Sequence, residues 1–412
     1  MKYGLIAARV GHSFSAEIHK ALFGYDYELK AIEKDELSAF LKNREFKAIN
    51  VTVPYKEAVI DHIDYVDQAA RDIGAVNTIV NRDGALYGYN TDFGGLLALI
   101  KREKIAIKGK KVLILGSGGT SKTAYHVVRL LGCSEAFRVS RSEKGGCITY
   151  ENVFDNHSDT DVIINTTPVG MFPEIESSAI DISRFANLNA VVDVVYNPLR
   201  TKLVTDAINR GIKAVGGLYM LVAQAALAAE EFIGKTVSDD RIEEIYQNLL
   251  NSKQNIVLIG MPGCGKSTIG KVIADSIGFE FTDTDDEIYK TYGKTPAQII
   301  TESGEKSFRD IESSIILEIS KAQGKVIATG GGAVLRKENV ERLKYNGALY
   351  FLDRNIEMIK PTDDRPLSNN KEALARLYNE RYEIYVSSCD KQIKCVEDVQ
   401  TNVKAIIKDI LL

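Results

Sequence analysis

Residues Asn255–Thr268 read NIVLIGMPGCGKST, an apolar strand running into G-x-x-x-x-G-K-S. A buried strand, a loop of backbone N–H donors, a lysine and a hydroxyl at a helix start form a cradle for the phosphates of a nucleoside triphosphate. Gly263, Cys264, Gly265, Lys266, Ser267 and Thr268 are therefore read as an ATP loop, with the Ser267 hydroxyl placed for Mg2+. Earlier, Lys110–Ser121 reads KKVLILGSGGTS. Its turn, Gly116, Ser117, Gly118, Gly119 and Thr120, also follows a strand, but Ser121 stands where G-x-G-x-x-G would put its last glycine. The first turn suits a dinucleotide and the second a triphosphate. Their spacings differ, so neither is a copy of the other.

The chain has 412 residues, 45% of them apolar, which fits two or three α/β domains. With 52 basic and 56 acidic side chains the net charge is -4, so no global field favours nucleic acid or an acidic membrane. Neither is expected as a partner. Cys133, Cys147, Cys264, Cys389 and Cys395 show no C-x-x-C spacing, which argues against a disulfide framework or a zinc site and for a reducing cytoplasm. The start MKYGLIAARVG lacks a signal-peptide apolar region, and no run of about 18 apolar residues occurs.

Residues 2–100 alternate strands (YGLIAA, KAINVTV, NTIVN) with expected helices AEIHKALF and KEAVIDHID. From residue 110 the order KKVLIL, glycine turn, TAYHVVRLLG, AFRVS, DVIINTT and AVVDVVY has the rhythm of a doubly wound parallel sheet. Helices over 218–232 and 239–250 close this half, and the polar run Asn251–Gln254 reads as a joint. The expected organisation is a substrate-binding α/β domain (1–105 with 218–250) around a Rossmann-like domain (106–217). A P-loop domain of the nucleoside-monophosphate-kinase type follows over 253–412.

In FTDTDDEI, Asp283 and Asp285 alternate and share a side if extended, one placed for magnesium and the other for an acceptor hydroxyl. An acidic helix start is the plainer alternative. Beyond lie GEKSFRDIE with Arg309 and Glu312, the triplet Gly330, Gly331, Gly332, and DDRPL with Arg365. With P-loop, D-x-D, G-E-x-x-F-R-x-x-E, G-G-G and R-P-L in that order, residues 253–412 resemble shikimate kinase. The resemblance implies that Asp283 lies near magnesium, Asp285 binds the hydroxyl to be phosphorylated, and Arg309 and Arg381 hold the substrate carboxylate. It also implies that the three glycines approach the ring and that Arg365, from the lid, meets phosphate. The lid segment EMIKPTDDRPLS is short, with Lys360 but no earlier arginine.

About twenty residues past the first turn, AFRVSRSEK carries no carboxylate at its strand end but offers Ser140, Arg141, Ser142 and Lys144. Hydroxyls and cations there suit a 2'-phosphate, so NADP(H) is expected over NAD. GHSFSAEIH, NVTVPYKEAV, GAVNTI, GYNTDFGG, NTTPVGM, DVVYNPLRT and GGLYMLVAQA occur in the order of shikimate dehydrogenase, which residues 1–250 resemble. Ketone reduction needs a hydride donor and a proton source, and Lys56 with Asp92 is an apt pair. The resemblance makes those two catalytic. It places Ser13, Ser15 and Thr52 at the substrate carboxylate, Asn77 and Gln224 at ring hydroxyls and Tyr196 at the same pocket. Thr166, Gly217 and Met220 fall near the nicotinamide. Ala7, Arg9 and Ala16 stand where the family usually has glycine and prolines, which bears on loop shape. The two reactions adjoin, 3-dehydroshikimate to shikimate and shikimate to its 3-phosphate, so a bifunctional enzyme is expected. An NAD-linked, quinate-preferring dehydrogenase joined to another kinase, or a nucleotide-regulated binding protein, are the rival readings. A monomeric kinase domain is expected, with the oligomeric state of the whole chain left open.

Overall fold

The protein is described by a computed structural model covering residues 1–11, 13–359 and 370–410. It separates into two compact units, Met1–Leu249 and Leu250–Leu412.

The first unit opens with a mixed sheet of β1 (Tyr3–Ala7), β2 (Glu28–Ala31), β3 (Ala48–Val51), β4 (Tyr65–Val66), β5 (Thr78–Arg82) and β6 (Ala85–Tyr89). The order is β2-β1-β3-β5-β6-β4, with β5 antiparallel to both of its neighbours, β3 and β6. Asp83 and Gly84, with φ of 52° and 88°, make the tight β5–β6 hairpin, where two left-handed residues match the twist of the strands. Helices α1 (Ser15–Phe23), α2 (Leu37–Asn43), α3 (Gln68–Ile73) and α4 (Thr91–Arg102) flank this sheet.

A second sheet is wholly parallel: β7 (Lys111–Leu115), β8 (Glu135–Ser140), β9 (Cys147–Thr149), β10 (Val162–Asn165), β11 (Ala190–Asp193) and β12 (Lys213–Val215). KVLIL and VIIN are near-continuous apolar runs because helices cover both faces of such a sheet. These are α5 (Gly119–Leu130), α6 (Tyr150–Asn156) and α7 (Lys202–Asn209). The order β12-β11-β10-β7-β8-β9 reverses between β7 and β10, which puts the ligand crevice at the end of β7, where the first glycine turn lies.

The chain then returns. Helix α8 (Leu218–Ile233) packs on α4, α1 and β5 of the first sheet, and α9 (Asp239–Lys253) follows. Close approach of α8 and α4 depends on Gly95, where a Cβ would lie 2.8 Å from Gln224 Cβ and 2.9 Å from the Met220 carbonyl oxygen.

The second unit is built on a parallel sheet of β13 (Asn255–Ile259), β14 (Glu280–Asp283), β15 (Lys325–Ala328), β16 (Gly347–Arg354) and β17 (Lys391–Cys395), ordered β14-β15-β13-β16-β17. Ile256–Ile259 on the central strand are at most 2% exposed. Each such side chain contributes about 1.5–3 kcal/mol on burial. Around it lie α10 (Lys266–Ile277), α11 (Thr284–Tyr292), α12 (Pro296–Ser320), α13 (Lys337–Asn346), α14 (Lys371–Ser388) and α15 (Val399–Ile410). Among the described residues no helix is long and apolar enough to cross a membrane.

Three local expectations are corrected. KEAVIDHID is not an α-helix; it forms turns and a 3-10 segment, Ile60–His62, since Val59 alone of its apolar residues is fully buried and the segment serves to swing Lys56 inward. The expected joint at Asn251–Gln254 is largely helical, Asn251–Lys253 forming the last turn of α9, while the division into two units falls just before it, between Leu249 and Leu250. Asp283 and Asp285 do not share an extended strand: Asp283 ends β14 and caps α11, and Asp285 lies in that helix's first turn.

Candidate active sites

In the first unit Asn90 caps α4, its Oδ1 accepting from Phe93 N at 3.1 Å while its Nδ2 donates to Ala75 O and Thr123 Oγ1. The cap fixes Asp92 in the first turn, where the helix dipole favours a carboxylate. Lys56 Nζ donates to Asp92 Oδ2 at 2.5 Å and to Thr120 Oγ1, in the glycine turn, at 3.3 Å. The Lys56 and Asp92 side chains are only 13% and 9% exposed. Asn77 Nδ2 donates to the other Asp92 oxygen at 2.9 Å. Lys56, Asp92, Asn77 and Thr120 thus meet directly.

A second group gathers at the start of α1. Ser13 Oγ donates to Ser15 Oγ at 3.0 Å, and Tyr196 is hydrogen-bonded to Ser13, its hydroxyl pushed up by burial. Thr52, half-buried at the end of β3, is fixed by its backbone, its N–H donating to Ile6 O and its carbonyl accepting from Tyr55. Gln224 lies on α8, its Nε2 donating to Leu221 O, and reaches Asp92's helix through the Gly95 contact.

At the nucleotide turn Gly116 has φ of 125°, and a Cβ there would lie 2.5 Å from Thr166 Oγ1. Thr166 in turn donates to Leu115 O at 2.6 Å, so it stands at the switch point of the sheet. Gly118 caps α5 without a side-chain acceptor, leaving a helix N-terminus suited to pyrophosphate. Ser140 closes β8, and Arg141, Ser142 and Lys144 are exposed beyond it. Gly217 caps α8 where a Cβ would lie 2.1 Å from Val194 O, which brings Met220 to the same end of the crevice.

In the second unit Gly265, with φ of 102°, turns the loop into α10. Lys266 Nζ curls back to the carbonyls of Gly260 and Met261, both at 2.9 Å. Ser267 Oγ donates to Asp283 Oδ2 at 2.6 Å, and Asp283 Oδ1 accepts from Asp285 N at 3.0 Å. One hydroxyl and one carboxylate in contact fit a Mg2+ ion that keeps waters and phosphate oxygens as its other ligands. Thr268 is exposed beside them, and Cys264 is fully buried under the loop.

The three glycines of the triplet have separate reasons. A Cβ at Gly330 would lie 2.6 Å from Glu312 Oε1 and 3.3 Å from Asp285 Oδ1; one at Gly331 would strike Pro262; one at Gly332 would strike the Arg309 guanidinium. Gly304 breaks α12 at φ of 82°, and the stretch after it aligns Glu305, Arg309 and Glu312. Arg309 donates to Glu312 at 2.7 Å and to Glu305 at 3.0 Å. Burial raises the proton affinity of Glu312 even against Arg309. Arg381 donates to Gly331 O at 3.2 Å, and Tyr385 OH donates to the same oxygen. Arg309 and Arg381 are 8% and 4% exposed. Arg365 and Lys360 lie outside the described residues.

The sequence reading missed Asn90, the cap of α4, and Asn50, Thr78 and Thr91, which are buried behind Asn77. A polar residue inside an apolar strand, as in AINV, was the available signal. It missed Asp193 as well, a carboxyl buried at the end of β11.

Comparison with known proteins identifies the families. Residues 262–411 match the family model described as shikimate kinase, and residues 5–79 match that of the shikimate dehydrogenase substrate binding domain. The chain is 36% identical over 264 residues to shikimate dehydrogenase (NADP(+)) of Clostridium perfringens, covering 60% of this chain and 97% of the relative. It is similar to the crystal structure of shikimate dehydrogenase 1 from Peptoclostridium difficile, with a TM-score of 0.57 and 34% identity over 60% of this chain and 98% of that one. Shikimate 5-dehydrogenase of Thermus thermophilus, solved in complex with NADP(H) and shikimate, has a TM-score of 0.54 and 30% identity over 60% of this chain and 99% of that one. The chain therefore belongs to the shikimate dehydrogenase family and carries, after that enzyme's full length, a shikimate kinase domain.

Proposed function

We propose that this is a bifunctional enzyme of the shikimate pathway, reducing 3-dehydroshikimate with NADPH and phosphorylating the resulting shikimate with ATP. Dehydrogenase residues are 1–252, with substrate held by 1–105 and 218–250 and NADP(H) by 106–217; kinase residues are 253–412. The observation that carries the reading is the Lys56 ammonium, which touches the Asp92 carboxylate on one side and the dinucleotide turn on the other.

The nicotinamide, near Thr166, Gly217 and Met220, supplies the hydride. As the ketone is reduced, Lys56 would give its proton to the nascent alkoxide oxygen, and Asp92 would hold the ammonium in place. Ser13, Ser15, Thr52 and Tyr196 surround the carboxylate, while Asn77 and Gln224 bind ring hydroxyls. Gly116, Ser117, Gly118, Gly119 and Thr120 bind pyrophosphate, and Ser140, Arg141, Ser142 and Lys144 the 2'-phosphate. In the kinase, Asp285 would take the proton of the 3-hydroxyl as that hydroxyl oxygen bonds to the γ-phosphorus of ATP, the bond to the β,γ-bridging oxygen breaks and ADP leaves. Lys266 and the N–H groups of Gly263, Cys264, Gly265, Ser267 and Thr268 would hold phosphate oxygens, and the resemblance adds Arg365, outside the described residues, as a phosphate ligand. Ser267 and Asp283 hold Mg2+. Arg309 and Arg381 bind the carboxylate, and Gly330, Gly331 and Gly332 admit the ring. Five free cysteines fit a reducing cytoplasm.

A coupled assay with 3-dehydroshikimate, NADPH, ATP and magnesium tests this, reading NADPH loss and shikimate phosphate together. Lys56→Ala is expected to abolish the first signal from 3-dehydroshikimate and leave phosphorylation of added shikimate intact; Lys266→Ala is expected to do the reverse. If either substitution silenced both reactions, the two-site reading would be wrong.

A further inference from the structure

Behind Asn77 and Asp92 runs a line of polar side chains cut off from solvent: Tyr27 is 9% exposed, Asn50 6%, Thr78 0% and Thr91 6%. A buried polar group left without a partner costs about 1–3 kcal/mol, so such a line persists only if its members satisfy one another. They do, and with a direction. Tyr27 OH donates to Asn50 Oδ1 at 2.7 Å. That leaves Asn50 Nδ2 to donate to Thr78 Oγ1 at 3.0 Å and to the Asn77 carbonyl at 3.2 Å. Thr78 Oγ1 lies 3.1 Å from Asn77 Oδ1, to which it donates, and 3.1 Å from Thr91 Oγ1, a contact in which either hydroxyl serves as donor. The same oxygen accepts the backbone N–H of Thr91 at 2.7 Å, a donor that cannot be reversed. Asn77 must then turn its Nδ2 the other way, toward Asp92 Oδ1 at 2.9 Å.

We propose that Tyr27, Asn50 and Thr78 are positioning residues for the dehydrogenase reaction, locking the Asn77 amide so that it always presents its N–H groups to Asp92 and the substrate side. The inference rests on the role given above to Lys56 and Asp92 and extends it inward. If the amide flipped, its oxygen would face the Asp92 carboxylate, and that repulsion would displace the carboxylate from Lys56. Tyr27 is suited to the far end of the line. Burial pushes its hydroxyl well above the ordinary tyrosine range, so it stays a donor, and its ring stacks on the His19 ring at 4.1 Å with 7° between planes. His19 belongs to α1, the helix that begins with Ser15. The line therefore ties the serine group to the Lys56 group through the interior.

The test uses the full chain. Tyr27→Phe keeps the ring and its stack but deletes the donor; Thr78→Val deletes the relay hydroxyl at constant shape; Thr78→Ser keeps that hydroxyl. Expected for the first two is a fall of about tenfold or more in dehydrogenase kcat, since an error of about 1 Å at a reacting group costs up to 100-fold. KM for NADPH and kinase activity should be unchanged, and Thr78→Ser should restore most of the rate. A kcat within twofold of the parent in both Tyr27→Phe and Thr78→Val overturns the proposal. So does a loss of melting temperature with no change in kcat per folded molecule. Should Thr78→Val fail to fold, Tyr27→Phe alone decides. Lys56→Ala, measured alongside, separates the two levels: if it keeps full turnover, the assignment of Lys56 fails and the proposal with it; if it is inactive while the relay variants are normal, only the relay fails.

Discussion

Gly332→Ala is the sharpest probe of the kinase pocket. An ideal Cβ at Gly332 would stand 2.2 Å from one guanidinium nitrogen of Arg309 and 2.4 Å from both its Cζ and its other terminal nitrogen. Ordinary contact needs about 3.5 Å, so the guanidinium must withdraw by roughly 1 Å. Arginine is flexible, but this one is not free to move: its side chain is 10% exposed and is tied to a fully buried Glu312 at 2.7 Å and to Glu305 at 3.0 Å. Overpacking of this sort costs about 1–3 kcal/mol, short of the roughly 3–5 kcal/mol for breaking the buried pair outright. The substrate feels it more directly. A charge-assisted hydrogen bond contributes about 1.5–3 kcal/mol, so losing good alignment with the carboxylate should raise KM for shikimate by about 10- to 100-fold. Steady-state release of ADP at varied shikimate and varied ATP measures this, with KM for ATP expected to hold and dehydrogenase activity of the same sample as the folding control. A KM for shikimate within twofold of the parent, in protein that still reduces 3-dehydroshikimate, would show that Arg309 does not hold the carboxylate.

The first unit offers its own contrasts. Gly95→Ala puts a methyl against the backbone of α8 and should cut dehydrogenase activity at least tenfold by parting the helices of Asp92 and Gln224, whereas at Gly94 the neighbour is the flexible end of Leu227 and alanine should be milder; both activities of each variant check this. Asp193, its proton affinity pushed up to about 7 by burial against hydrogen bonds from Thr201, Val195 N and Asn165, binds a proton when folded that the unfolded chain releases above about 4. Its contribution to stability therefore falls as pH rises through that window, by roughly 4 kcal/mol at most. His19, lowered by burial to about 3, works the other way: the unfolded chain binds a proton below 6.5 that the folded chain refuses, so its contribution is lost as pH falls. The windows overlap with opposite sign. Denaturant melts of the first unit's signal should thus be flatter in the parent than in Asp193→Asn, where stability rises with pH from 4 to 7, or in His19→Gln, where it falls. Parallel profiles in all three would refute both assignments.

The parts of the fold read correctly from sequence are those whose chemistry is local. NIVLI and KVLIL are buried and lie in parallel sheets, and each glycine turn starts at a strand end where a positive φ is needed, as at Gly116 and Gly260. What misled the reading was periodicity without burial. Val59 and Ile63 have helical spacing in KEAVIDHID, yet the segment is held by tertiary contacts and turns, and a cis Val53–Pro54 bond precedes it. FTDTDDEI reads as alternating, but a capping carboxylate stops the strand at Asp283 and turns the next carboxylate onto a helix. Motif order pointed to Lys56 and Asp92, and the fold brings the two side chains into contact. It could not reveal the residues that hold them. Asn50, Thr78 and Asp193 are polar groups whose significance lies in burial, and burial belongs to the folded chain, with Asn50 bonded to residues 27 and 28 positions away along the sequence.

On the proposed assignments, the two sites meet one anionic substrate with opposite electrostatic strategies, and the chemistry explains the difference. Hydride transfer leaves the charge of the ring acid unchanged, so a carboxylate pocket of hydroxyls, Ser13, Ser15 and Thr52, needs to answer the same single charge before and after reaction. Hydroxyls cost little to desolvate and hold an anion modestly, which suits a site that must release its product. Phosphoryl transfer adds negative charge to the acid while a second anion, the nucleotide, lies beside it. There the carboxylate is met by Arg309 and Arg381, both buried, and one of them is already held by Glu312 and Glu305. Those acids lower the net positive charge of the pocket, and they preorganise Arg309 so that binding does not have to order a long side chain. On the proposed assignment, selection of shikimate at the kinase falls on those two fixed cations, Arg309 and Arg381.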